Sequence, residues 1–193
     1  KVESLFGRTP QRAMADAATT VSRALKHSGF PQALQTLDID WQVVFMDEDL
    51  PEQHIPLYLV SNCHPAWMTP PANIYVVAQR VVAGCGDKKS GRTSVADAQL
   101  AEVLIHEMGH VIEHQLLKGQ VALDRLRSEG FATWFEAYAA DFSRVIPRGS
   151  VVQKHKKLAR EAILRSPNQF RFSGSAHDYA RASMYFEAIV KRR

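Results

Sequence analysis

The chain has 193 residues, 46% apolar and 23% charged, which is an ordinary globular balance with enough length to bury a core without cross-links. Its longest apolar runs fall far short of the roughly 20 residues a membrane helix needs, so no membrane span is expected. The net charge of +4 is dispersed; its densest groups, Lys154, Lys156, Lys157 and Arg160 and the terminal Lys191, Arg192 and Arg193, lack interleaved aromatics. They read as a solvated helix face and a tail, and no nucleic-acid partner is expected. The chain does not begin with Met, as after loss of a signal peptide or trimming of the terminus, and export is the favoured expectation.

In chain order, a helix is expected over 9–27. Thr9-Pro10 suits its start, Ala13, Ala17, Val21, Ala24 and Leu25 recur at helical spacing, and Gly29 follows. Strands rich in Val, Ile, Tyr and Phe are expected over 41–46, 57–61 and 73–82. The Pro-rich run 64–71 between the last two reads as a loop, because proline cannot donate to a ladder. The Gly-rich, charged run 84–92 reads as another. Cys63 and Cys85 lie in such loop sequence, outside any CxxC pair, so a cysteine zinc site is not expected. One disulfide and two free thiols both remain open.

From residue 94 the texture turns helical. Ser94 and Asp97 form a capping box ahead of a stripe at Ala101, Leu104, Ile105, Met108, Val111 and Ile112, with Gly119 as a stop. Further helices are expected over 122–143, 150–165 and 175–191. Strands first and helices later predict an α+β fold. The whole chain reads as one domain, with a mixed lobe over about 1–118 that includes the long helix and a helical lobe over about 119–193.

The long helix carries His106-Glu107-Met108-Gly109-His110. Residues four apart share a helix face, so both imidazoles project one turn apart and can reach a single ion. Glu107 sits about 100° round the helix, off that face but within reach of a water at the ion. A catalytic zinc site needs a third protein ligand and an open fourth position. The metzincin pattern requires Gly at 113 and His at 116; Glu113 and Leu116 stand there instead. A ligand at His114 would stretch the set along about 12 Å of helix, so His114 is read as a neighbour of the site or a surface residue. Glu129, opening an apolar helix, is the strong remaining candidate.

With eighteen residues between His110 and Glu129, then Gly130 and an aromatic-rich helix, the sequence resembles the gluzincin metallopeptidases, most closely the aminopeptidase N branch. The resemblance covers about 95–140 well, at His106, Glu107, His110, Glu129, Gly130 and Glu136, and the rest only as an order of elements. It implies a zincin-like fold, Zn²⁺ as cofactor on His106, His110 and Glu129, a peptide or protein substrate, and hydrolysis by a metal-activated water with Glu107 as general base. Glu136 would accept from the second nitrogen of a ligand histidine, with an ordinary surface carboxylate as the alternative. Tyr179-Ala180-Arg181 resembles the downstream segment whose tyrosine stabilises the oxyanion, with Tyr185 and His177 as rivals to Tyr179. A strand before the metal helix lines the cleft in that family; 73–82 is the candidate, and a core strand is the alternative. The family's segment that grips a free amino terminus is absent, so aminopeptidase specificity does not carry over. The competing reading is a zincin-like module that binds metal without turnover.

Overall fold

A computed structural model describes residues 9–27, 41–46, 64–77, 80–81, 97–118, 124–167 and 172–190. These form five helices and a three-stranded sheet, a mostly helical α+β arrangement. Helix α1 is Thr9–Lys26, and its Ala13, Ala17, Val21, Ala24 and Leu25 are all buried as the spacing predicts. Strands β1 (Gln42–Met46), β2 (Ala66–Thr69) and β3 (Asn73–Val77) form a sheet of order β1-β3-β2. β1 runs parallel to β3, Gln42 opposite Asn73, and β2 runs antiparallel to it, Ala66 opposite Val76. Ile74 and Val76 of β3 point into the core, while Tyr75 stacks on its cross-strand neighbour Trp67 at 5.6 Å.

Three sequence expectations change here. Residues 66–69, read as loop, are a strand. Pro65 precedes β2, and Pro70 and Pro71 lie beyond its last pair, Thr69 with Asn73, so proline brackets the ladder rather than interrupting it. The strand read over 73–82 ends at Val77, and Arg80 and Val81 are already helical. β3 is also the central strand, paired on both edges, which removes it as a docking edge for an extended substrate; among the described residues β1 and β2 are the sheet's edges, and β2 packs on the long helix. The strand expected over 57–61, Cys63 and Cys85 lie outside the described residues.

The long helix, α2, is Asp97–Leu116, with its expected stripe fully buried. Helix α3 (Arg125–Ala140) crosses it; the Asp124 side chain caps it by accepting from the Arg127 N–H at 3.0 Å. It stops three residues short of the expected 143. The N–H groups of Phe142 and Ser143 turn back to the Ala139 and Ala140 carbonyls, and the Asp141 carboxylate accepts from the Gly149 N–H. Helices α4 (Ser150–Arg165) and α5 (Ala176–Val190) pack on each other and against α3. No described helix is long and apolar enough to cross a membrane.

What sets the α2–α3 approach is Gly109. A Cβ there would lie 2.9 Å from the Ala132 Cα, closer than the two backbones can accept. Gly109→Ala would gain up to about 1 kcal/mol of helix propensity. Against that, overpacking costs about 1–3 kcal/mol. A net loss of about 1–2 kcal/mol, seen as a melting temperature lower by about 3–6 °C, is expected. An unchanged or raised melting temperature would show that the crossing is looser than described.

Candidate metal centre

Because α3 lies so close to α2, Glu129 in its second turn stands over the two histidines. The Nε2 atoms of His106 and His110 each lie 3.4 Å from the same carboxylate oxygen, Glu129 Oε2. The three atoms lie within 4.8 Å of one another, a set that could hold a metal ion. An ion bonded tetrahedrally at about 2.0–2.1 Å needs donor atoms about 3.3–3.4 Å apart. The two separations to Glu129 match that edge and the third lies within 4.8 Å, so the donor set suits zinc in residue type and could hold such an ion.

Both rings are held from behind. His106 Nδ1 lies 3.1 Å from Glu136 Oε2, two turns beyond Glu129 along α3. An ionised carboxylate only accepts, so Nδ1 carries the proton, and Nε2 is left for the centre. His110 Nδ1 lies 3.1 Å from Ser128 Oγ, whose hydroxyl in turn donates to Glu113 Oε2. The rings stand nearly perpendicular, at 81°, with centroids 5.1 Å apart. Glu113, Glu136 and Glu107 are all buried.

The electrostatics follow from this crowding. Burial opposes charge on His106, but hydrogen bonds to Glu129 and Glu136 outweigh it and hold its pKa well above the ordinary value. His110 is likewise disfavoured by burial and raised to about 9 by Glu113 and Glu129. Burial pushes the Glu129 and Glu136 carboxyls up, yet the imidazoles bring both below the usual range. Glu107 is raised by burial, which the charges of His110 and His106 only partly offset. Without an ion, protons hold the buried imidazoles and carboxylates together; a cation at the same atoms replaces those protons.

Tyr179 reaches the centre from α5. Its ring stacks on His106, centroids 6.2 Å apart, and on His64 at 6.1 Å. Its hydroxyl lies 3.4 Å from His64 Nε2 and 3.5 Å from the Arg125 guanidinium. Burial and the Glu129 charge keep the phenol protonated far above neutrality. The rivals are elsewhere: Tyr185 is 67% exposed, and His177 pairs with Glu161 at 3.0 Å. Arg181 ties α5 to the end of α4 through the Ser166 carbonyl. His114 is half-buried and outside the three-residue group.

Sequence reasoning missed His64, Arg125, Ser128 and the partner role of Glu113. Arg125 NH2 lies 3.1 Å from His64 Nε2, and its Nε lies 3.9 Å from Glu129 Oε1. Two of these carried a readable signal: Arg125 stands one helical turn before Glu129, and Glu113 three residues after His110. His64, brought in from the segment before β2, carried none. No family model matches the chain, and neither a curated protein nor a solved structure matches it significantly.

Elemental analysis of the purified chain after zinc addition is expected to find about one zinc per molecule. His110→Ala should lose it; Glu129→Gln should weaken it less, since an amide oxygen still coordinates. A folded protein that takes up no zinc would contradict the assignment.

Proposed function

We propose that this chain is a zinc-dependent peptidase of gluzincin type with a zincin-like fold. The observation that carries the reading is the aim of two anchored imidazole Nε2 atoms at one oxygen of Glu129, 3.4 Å from each. The order of elements supports it: a small mixed sheet, the helix bearing both histidines, then the helix bearing the glutamate. Zinc bound there supplies Lewis-acid polarisation of a carbonyl and acidifies water at the site.

The chain's own residues do the rest. His106 and His110 are fixed in orientation by Glu136 and by the Ser128–Glu113 pair, so little ordering remains on binding. Glu107, buried beside both histidines and with a raised pKa, suits a carboxylate that takes a proton from attacking water and passes it to the departing amine. Tyr179, kept protonated and stacked on His106, suits the role of donating its O–H to the oxyanion. Edge strand β2, packed on α2 and following His64, is the element on which an extended peptide would lie.

Glu107→Gln is expected to retain zinc and melting temperature while abolishing hydrolysis of casein. Activity surviving that change would overturn the role of Glu107. If the unaltered zinc-loaded protein cleaves nothing across a broad peptide library, the chain is instead a metal-binding module without turnover.

Tyr179→Phe removes one hydroxyl. It is expected to lower kcat and kcat/KM together by about 10²–10³, with KM, zinc content and melting temperature nearly unchanged. Full activity with earlier unfolding would make Tyr179 a packing residue.

A further inference from the structure

On the far side of α3 from the metal centre lies a cavity of about 390 Å³, the size of a small-molecule site. Helices α3, α4 and α5 and the end of α1 surround it. Its apolar wall is an aromatic ladder on α3 and the turn after it. Trp134 stacks on Tyr138 at 5.8 Å, and Tyr138 meets Phe142 at 5.6 Å. Met184 of α5 faces this wall and is 40% exposed, so the space is open to solvent.

Two cations and two carboxylates line the cavity, and they differ in the partners they already have. Arg148 and Lys156 line the cavity, are exposed, and make no ion pair or hydrogen bond among the described residues. The two acids differ: Asp141 is committed to the Gly149 N–H at 2.7 Å, and Glu187 has a partner of its own. His155 is a further polar group on the wall. It lines the cavity and is only 8% exposed, with Nε2 turned to Glu136 at 3.7 Å, yet its buried Nδ1 has no hydrogen-bond partner. Because Nε2 faces a carboxylate that only accepts, Nε2 carries the proton and Nδ1 is an acceptor, which a hydroxyl or other donor on a ligand would satisfy and a carboxylate would not.

We propose that this cavity binds a small amphipathic anion: an apolar, ring-sized body against Trp134, Tyr138 and Phe142, with a carboxylate or similar acid toward Arg148 and Lys156. The apolar body gains from leaving water against the aromatic wall. The acid meets two cations that make no ion pair among the described residues. None of His106, His110 and Glu129 lines the cavity, which meets the metal group only through His155 and Glu136, and the proposal does not rest on the peptidase reading.

The test uses the full chain and three probes that share one apolar body: pyrenebutyrate, pyrenebutanol and pyrenebutylamine, followed by pyrene emission. Pyrenebutyrate is expected to bind saturably at one site per chain, the alcohol about tenfold more weakly, and the amine more weakly still. Arg148→Glu with Lys156→Glu, both at exposed positions, should weaken pyrenebutyrate by about tenfold or more and erase its advantage over the amine. Met184→Trp, which fills the cavity from a partly exposed position, should abolish binding of all three while circular dichroism stays unchanged. Non-saturable binding of pyrenebutyrate would overturn the proposal. So would equal affinity for the three probes, or affinity unchanged in either variant.

Discussion

The structure depends on burying one carboxylate between two imidazoles. An ionised group taken out of water is costly unless it is paired and hydrogen-bonded, and Glu129 satisfies this through His106 and His110. The close crossing at Gly109 and Ala132 lets α3 deliver Glu129 to that position. Glu136 and Ser128 sit on the same helix and hold the imidazoles from behind, so α3 supplies both the facing carboxylate and the supports of the two rings. A shift of α3 along α2 would break all of these contacts together.

The surrounding charge favours a dication. Glu107, Glu113, Glu129 and Glu136 are four carboxyls around two imidazoles, and three of them are more than nine-tenths buried. In the absence of an ion, raised pKa values on His106 and His110 relieve part of that negative excess by holding protons. A doubly charged ion in place of those two protons would carry the same charge, at donor atoms of which two pairs lie 3.4 Å apart. The Arg125 guanidinium lies on the other oxygen of Glu129 and joins this centre to His64 and Tyr179, so the phenol and the carboxylate share one neighbour.

Much of this was legible in the residue order because helices repeat. His106 and His110 face one way by their spacing of four, and the apolar stripe of α2 announced which side is buried. For Glu136, two turns beyond Glu129, the residue order left a contact with a ligand histidine and a surface position both open, and the fold puts it on His106. What was not legible depends on distant pairing. β2 hides among prolines because only its partner β3 reveals that the prolines lie outside the ladder. His64 meets Arg125 and Tyr179 across 61 and 115 residues, and no local period encodes such a meeting. Gly109 reads as a filler between His106 and His110, and its part in the helix crossing appears only once Ala132 is seen against it.

The central claim is that one ion sits on two imidazoles and a carboxylate. X-ray absorption at the zinc edge of the zinc-loaded chain tests it most directly, because scattering from the ligand shell identifies its atoms. The account predicts nitrogen and oxygen neighbours alone at about 2.0–2.1 Å, with the outer-shell signature of two imidazoles. Sulfur neighbours at about 2.3 Å, which only Cys63, Cys85 or a methionine could supply, would contradict it, as would a shell with no imidazole signature.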